Sequence, residues 1–296
     1  MSNQDFAISS YHHLITTRPY DINRVVISDL HLSADEPALV QAFLALLDDV
    51  LVLPNVHQLY ILGDWFDAWI GDDAYLSLSA TEQKRHWLTP LITKLTELKN
   101  KGCQSFVMHG NRDFLIGQDF CDNFGGQLID EPYLLKLGKM TYRLEHGDAL
   151  CTDDKRYQRF RKVMRNPLVQ WLLLKQPLNK RQALAQKIRS QSALDKSAKS
   201  LQIMDVNEQA VTCALKKVDG LIHGHTHRPA CHQTHLALNA KARSQTLEFK
   251  KRYVLGDWRI LDPDTRCEQV QAVIGLALDT QISSSFELVT FEWPTR

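Results

Sequence analysis

The chain has 296 residues, with 35 Lys+Arg against 34 Asp+Glu for a formal net charge of +1, 44% apolar and 23% charged residues. That is the composition of an ordinary globular protein, and no apolar run reaches the roughly 18 residues that would span a bilayer, which excludes a transmembrane helix. Six scattered cysteines without a C-x-x-C pair argue against a disulfide scaffold or zinc ribbon, and the opening MSNQDFAISSYHH lacks the features of a secretory signal, so a cytoplasmic protein is expected.

Residues 1–23 read as a polar arm, with His12 and His13 on its surface. The first strong strand is 24–28 (RVVIS), a short β-branched run. A helix over 36–50 comes after it, with Asp35 as expected N-cap and Pro37 in its first turn. Its residues Leu39, Phe43, Leu46, Leu47 and Val50 recur at helical spacing and form one core face. Next come a strand at 58–62 (QLYIL), a helix at about 82–100 closed by Gly102, and strands at 104–108 and 141–145. Between Lys155 and Lys199 there are 13 Lys+Arg and one acid, Asp195, which makes this segment +12. Such an imbalance suggests a basic surface meeting something anionic, because a merely soluble helix interleaves signs for i,i+4 pairing. The helical patterns here are broken by Pro167 and Pro177, as expected of an inserted helical lid. A helix at about 200–216 leads to strands at 219–223 and 252–255. The region 239–296 is strand-like, with a polar stretch (NAKARSQTLEFKK) expected to be a loop.

Strands alternating with helices predict an α/β core. The expected organisation is an arm (1–23), a first core part (24–150), an inserted basic helical cap (151–199), and a second core part (200–296) with an extended C-terminal region. The residues just past the end of each strand are informative. VVIS runs into Asp29-Leu30-His31, YIL into Gly63-Asp64, SFVM into His109-Gly110-Asn111-Arg112-Asp113, YRLE into His146-Gly147-Asp148, and GLI into His223-Gly224-His225-Thr226-His227. Ligands of open α/β sheets gather beyond the carboxyl ends of the strands, so five such loops can converge on one point. Asp29, His31, Asp64, Asn111, His146, His225 and His227 offer seven oxygen and imidazole donors without a thiol. This set suits Mn²⁺, Fe²⁺ or Zn²⁺, and is too large for one tetrahedral ion but right for two ions sharing a carboxylate. Two such cations attract phosphate and lower the pKa of a bound water. Each motif alone has a plain structural reading, a turn for Gly-Asp or a helix cap for Asn111. Five in order would require that coincidence five times.

The series D-x-H, G-D, G-N-R-D, H-G-D and G-H-T-H resembles the calcineurin-like metallophosphoesterase superfamily. Longer strings, ILGDWFDAWIGDD (61–73), HGNRDFLIG (109–117), HGDALCTDD (146–154), KSLQIMDVN (199–207) and LIHGHTHRP (221–229), are similar to one family within it. That family is the UDP-2,3-diacylglucosamine hydrolases, pyrophosphatases of lipid A biosynthesis in Gram-negative bacteria. The resemblance covers roughly residues 24–235 and is specific, since most of the superfamily has G-N-H-[DE] where this chain has Gly110-Asn111-Arg112-Asp113.

The resemblance implies a four-layer αββα sandwich of two mixed sheets with an inserted helical cap that holds acyl chains. It implies two divalent cations, Mn²⁺ being the expected one. The first would be held by Asp29, His31 and His227, the second by Asn111, His146 and His225, and Asp64 would bridge them. Substrate contacts are implied for Asn111, Arg112, Asp154, Ser192, Lys199 and His225, and also at Lys196, where the family can carry asparagine. Asp64, Asn111, Arg112 and His225 are the implied catalytic group. The implied reaction is attack of a metal-bound hydroxide on the α-phosphorus of UDP-2,3-diacylglucosamine, giving UMP and 2,3-diacylglucosamine 1-phosphate. Asp67, Asp113 and Asp148 are expected to support ligating histidines, with His109 and His223 as further candidates for that role. Trp65 and Trp69 are expected in the core or pocket wall.

The basic segment combines Leu168–Leu174 as an apolar lining with flanking charges such as Arg159, Lys162 and Arg165. That predicts peripheral association with an anionic membrane surface, the cytoplasmic face of the inner membrane, and no nucleic acid or obligate protein partner. The rival readings are a nuclease or nucleotide phosphodiesterase of the same superfamily, a scaffold that has lost its metals, and a membrane-surface module without chemistry.

Overall fold

The computed structural model describes residues 8–198, 205–237, 247–261, 268–280 and 282–294. In chain order the elements are β1 (Ser9–Ser10), α1 (Tyr11–Thr17), β2 (Ile22–Ile27), α2 (Pro37–Val52), β3 (Gln58–Leu62), α3 (Asp73–Leu76), α4 (Ala80–Arg85), α5 (Thr89–Lys101) and β4 (Gln104–Met108). Then come α6 (Gln118–Asp122), β5 (Gln127–Ile129), β6 (Tyr133–Leu137), β7 (Met140–Glu145), α7 (Lys155–Met164), α8 (Pro167–Leu174), α9 (Leu178–Ala198) and α10 (Glu208–Leu215). The chain ends in β8 (Gly220–His223), β9 (Ala230–Ala237), β10 (Leu247–Val254), β11 (Arg259–Leu261), β12 (Gln269–Asp279) and β13 (Ser284–Trp293).

Two mixed sheets form the centre. One has the order β1-β13-β12-β2-β3-β4-β5, with β11 paired to β12, and the other the order β6-β7-β8-β10-β9. Strands β2 to β5 run parallel, and β7, β8 and β10 are parallel in the second sheet. The near-continuous apolar runs of β2, β3 and β4 reflect burial on both faces. Alternate side chains of β3 go to opposite sides: Leu59 and Ile61 join a core with Phe43, Leu46 and Leu47 of α2 and Leu91 and Leu95 of α5. Tyr60 and Leu62 instead pack with Val26, Met108, Leu144, Ile222 and Leu255 between the two sheets. On the outer side of the second sheet, Leu221 packs with Val211 and Leu215 of α10. The layers are therefore helix, sheet, sheet and helix, as expected for the four-layer class.

Several local expectations change. The polar arm is not wholly polar: Ser10 caps α1, and Tyr11 and Leu14 are buried, Tyr11 standing edge-on to Phe291 at 5.3 Å. His12 and His13 are exposed, as expected. At the start of α2 the N-cap position is Glu36 rather than Asp35, without a side-chain bond. The helix expected over 82–100 is two helices, because a Ser79–Glu82 capping box starts α4 and Pro90 sits in the first turn of α5. Gly102 ends α5 in the left-handed region, φ 97°. The short strands β5 and β6 have no clear signal in the sequence. The polar stretch expected as a loop supplies the start of β10, which pairs antiparallel with β9. Helix α10 is shorter than expected and capped by Asn207, while residues 199–204 lie outside the described part.

The buried contact of the arm makes it part of the fold. Tyr11→Ala should destabilise the protein by about 3 kcal/mol, the usual scale for truncating a buried aromatic. Thermal unfolding would show a fall of several degrees, whereas an unchanged midpoint would make α1 an ornament on β13.

Candidate metal centre

The five loops predicted from the sequence meet at one end of the parallel strands. Their backbone is unusual before any side chain is considered. Among the described residues, the non-glycine positions with positive φ are Asp29 (55°), His31 (52°), Asp64 (48°), His225 (67°) and His227 (55°). All five are predicted ligands. Left-handed backbone costs a non-glycine residue about 1 kcal/mol or more, and persists where the surroundings over-determine it. The turns aim these side chains inward where a helix or strand would carry them past the site.

Close backbone packing makes the turns compatible. A Cβ on Gly110 would lie 2.1 Å from the Asp64 nitrogen, and one on Gly224 would lie 2.2 Å from Asp29 Oδ2. The two glycines therefore let neighbouring loops approach the two carboxylates. Asp113, buried beneath them, accepts from the amides of Trp65 (2.7 Å) and Gly110 (2.7 Å) and so ties the Asp64 and Asn111 loops together.

Asp64 stands between the two predicted ligand sets. Its Oδ2 is 3.9 Å from His31 Nδ1, and its Oδ1 is 3.8 Å from His146 Nε2. His146 Nε2 is also 3.2 Å from Asn111 Oδ1. Across the site, His227 Nε2 lies 3.4 Å from Asp29 Oδ1 and 3.5 Å from His31 Nε2. His225 donates its backbone N–H to Asp29 Oδ2 (2.8 Å), and its ring lies 5.0 Å from that of His146. The atoms of Asp29, His31 and His227 fall within 4.8 Å of one another, as do those of Asp29, Asp64 and His146. All seven predicted donors are thus gathered in one cluster.

Its electrostatics fit divalent cations. Burial opposes charge on His146, but Asp64, Asp29, Asp148 and Glu131 outweigh it and push the imidazole up to about 9. Burial acts likewise on His227, and Asp257 and Asp29 push it up to about 9. Burial takes His31 and His225 down to about 4, the positive His146 adding to the effect on His225. Asp29 is fully buried, yet the surrounding histidines hold it ionised, well below the usual carboxylate range. The carboxylates therefore hold protons on two imidazoles to balance their own charge, a balance that cations would supply instead. The buried Asp29 Oδ1 accepts no hydrogen bond, as suits an atom reserved for a metal.

The other predicted site residues fall into three groups. Arg112 is at the site, its amide donating to Asp64 Oδ1 (2.8 Å) and its guanidinium paired with Asp67. Asp154 caps α7, accepting from the Tyr157 amide (3.0 Å). The side chains of Ser192 and Lys196, and all of Lys199, lie outside the described residues.

Expected supporting roles are redistributed. Asp113 serves backbone amides, Asp67 joins Arg112 to Arg189 of α9, and Asp148 accepts from Tyr157 Oη (2.6 Å) and Arg161. His109 faces the Ile116 carbonyl, and His223 lies between the Gly224 carbonyl and Arg252. Trp65 and Trp69 are buried among Phe66 and Phe120, as expected of core residues.

The basic helices turn much of their charge inward. Arg161 pairs with Glu131 (2.6 Å) and Asp148 (2.8 Å), and Arg165 donates to the carbonyls of His109 (3.2 Å) and Gly110 (3.1 Å). Arg165 therefore does not stand with Arg159 and Lys162, which are exposed. Residues 161 and 165 share one helix face by their i,i+4 spacing. Arg181 pairs with Asp73 and also donates to the Ile70 carbonyl.

One residue at the centre was not foreseen. Asp257 Oδ2 lies 3.3 Å from His227 Nδ1. Its signal was available, since β10 runs into Gly256-Asp257 just as β3 runs into Gly63-Asp64.

Comparison with known proteins agrees with this geometry. The model of the calcineurin-like phosphoesterase family matches residues 22–229. A UDP-2,3-diacylglucosamine hydrolase of Pseudomonas entomophila is 42% identical over 236 residues, 79% of this chain and 90% of its own. Proteins of the same name from Tolumonas auensis and Serratia proteamaculans are 44% and 43% identical, over 80% and 81% of this chain and 89% and 92% of theirs.

The position of Asp64 between the two sets yields a direct expectation. Asp64→Asn removes the anion facing both, so bound divalent metal should fall at every site rather than at one. Metal analysis after dialysis checks this, and wild-type metal content in the variant would remove Asp64 from its central place.

Proposed function

The chain belongs to the calcineurin-like phosphoesterase family, and we propose that it hydrolyses the pyrophosphate of UDP-2,3-diacylglucosamine with two divalent cations, of which Mn²⁺ is the preferred one. Cleavage at the α-phosphorus gives UMP and 2,3-diacylglucosamine 1-phosphate, which places the enzyme in lipid A biosynthesis. The observation that carries the reading is the Asp64 carboxylate, one oxygen toward His31 and the other toward His146. Asp29, His31 and His227 would hold one ion, Asn111, His146 and His225 the other, and Asp64 both. When bound, such ions polarise phosphoryl oxygens and make water a nucleophile near neutral pH.

The chain's own groups do the rest. The Arg112 guanidinium, a planar fork of donors, binds phosphoryl oxygens and stabilises developing charge. Asp67 holds its guanidinium toward the site and links it to Arg189. Residues 151–199 act as the cap. Arg161 and Arg165 clip α7 to the core beside the ligands, and α8 offers apolar surface for acyl chains. Contacts from Asp154, Ser192, Lys196 and Lys199 to the nucleotide and glucosamine belong to this reading.

No helix among the described residues is long and apolar enough to cross a membrane. We assign the protein to the cytoplasmic face of the inner membrane as a peripheral enzyme, without a nucleic acid or obligate protein partner. Leu168, Trp171, Leu172 and Leu174 of α8 are exposed, Trp171 at 53%. Lys175, whose Nζ lies 4.4 Å over the Trp171 ring, adds positive charge to that surface, and Arg159 and Lys162 are exposed on the preceding helix α7. An exposed apolar helix face with a lysine against it and exposed bases on the preceding helix suits an anionic lipid surface better than a phosphate backbone. It favours the lipid substrate over the nuclease reading.

Product analysis with the diacyl UDP-sugar tests the function. UMP and the lipid phosphate should form in equal amounts, and a chelator should stop both; turnover of DNA but not of this substrate would overturn the reading. Arg112→Ala should lower kcat by at least about 100-fold, the scale of a lost transition-state donor, with both ions retained. Metal loss in parallel with rate would make Arg112 a structural support instead.

The membrane claim has a separate check. Each base near an anionic surface is worth about 1 kcal/mol, so Arg159→Glu with Lys162→Glu should weaken binding to phosphatidylglycerol vesicles by more than tenfold at low salt. Vesicle binding equal to wild type would make these bases a solvated face.

A further inference from the structure

The histidines of the centre are held in different ways. His146 is enclosed, its Nδ1 set 2.9 Å from the Leu62 carbonyl oxygen. His225 packs edge-on to His146 and stacks with Tyr157. His227 is more open, with 26% of its side chain exposed. An imidazole with that freedom can turn its ring, and either nitrogen can ligate a metal. Something must therefore decide which nitrogen faces the site.

Asp257 stands where that decision is made. Its Oδ2 is 3.3 Å from His227 Nδ1, while Nε2 on the opposite side of the ring faces Asp29 Oδ1 and His31 Nε2. The Arg259 guanidinium holds the other oxygen, Oδ1, at 2.5 Å. The turn that carries Asp257 is itself fixed: Leu255 donates its amide to the His223 carbonyl (2.8 Å), Gly256 to Val273 (2.8 Å), and Trp258 to Asp29 (3.1 Å). Trp258 is buried between Phe43 and Phe291. One turn thus braces the backbone of Asp29 and the ring of His227, two members of one ligand set. It lies beyond the residues 22–229 that the family model matches.

Building on the metal reading above, we propose that Asp257 is a positioning residue of the centre: it accepts the His227 Nδ1 proton and so fixes Nε2 as the ligating nitrogen. Carboxylates that orient a ligating histidine in this way are a general device, and losing one costs about 10- to 100-fold in metal affinity or activity. The alternative is a surface ion pair between Asp257 and Arg259, next to the histidine without acting on it. A pair of that kind contributes little to stability and nothing to metal binding.

Calorimetric titration of the full-length, metal-stripped protein with Mn²⁺ separates the two, with thermal unfolding of each metal-free variant as the check on folding. Wild type should bind two ions. Asp257→Ala should weaken one of them by about 10- to 100-fold and leave the other unchanged. Asp257→Asn should fall between, because its amide oxygen still accepts from Nδ1, and it carries the test if the alanine variant does not fold. The double variant His227→Ala with Asp257→Ala should bind no worse than His227→Ala alone, since Asp257 acts through that ring. Wild-type affinity at both sites in Asp257→Ala, or losses that multiply in the double variant, would overturn the proposal while leaving the metal reading intact. A wild-type protein that binds no Mn²⁺ would overturn both.

Discussion

Two buried carboxylates, Asp29 and Asp64, at the ends of adjacent parallel strands are the constraint on which the rest depends. A carboxylate buried without compensation is expensive, and these two lie within a few ångströms of the same histidines, His31 and His146. Everything around them answers that charge. Imidazoles converge from the Asp29 loop itself and from two further loops, backbone amides of Arg112 and His225 donate to the carboxylates, and Gly110 and Gly224 let the loops close in. Left-handed backbone at five predicted ligand positions is the conformational cost of aiming those side chains at one point. The two-sheet core holds that strain, because its strands are buried on both faces and have no freedom to relax.

The same logic explains the basic segment. Thirteen bases with one acid read as a surface awaiting an anion, but part of that charge is answered from within. Glu131, Asp148, Asp73 and Asp67 take Arg161, Arg165, Arg181 and Arg189, so the basic helices are tied by ion pairs to the rest of the fold. What remains outward is a smaller set, including Arg159 and Lys162 of α7 and Lys175 at the Trp171 ring of α8. On the proposed reading, one segment would shield the site and meet lipid.

Much of this was legible in the sequence because the ligand loops come directly after strong strands. Runs such as VVIS and SFVM mark their own ends, and the Asp, Asn, Gly and His beyond them have few reasons to recur there by chance. The seven donors and their convergence came from that pattern alone. Less visible were features that depend on distant partners. Tyr11 and Leu14 look like part of a polar arm until β13 supplies their neighbours. The break between α4 and α5 needed the Ser79 cap to be weighed against the apolar spacing. Which arginines turn inward could not be read from composition, only from the helix face they share. Asp257 carried a strand-Gly-Asp signal like that of Asp64, but its strand, a hairpin partner far along the chain, looked peripheral to the site.

The central claim is that two cations share the Asp64 carboxylate at this point of convergence. A crystal structure of the Mn²⁺-loaded protein with anomalous scattering data tests it most directly. Two manganese peaks about 3.5–4 Å apart, as in other two-metal centres, each within bonding distance of Asp64, are the result predicted. A single peak, or two peaks of which one lies away from Asp64, would contradict the account.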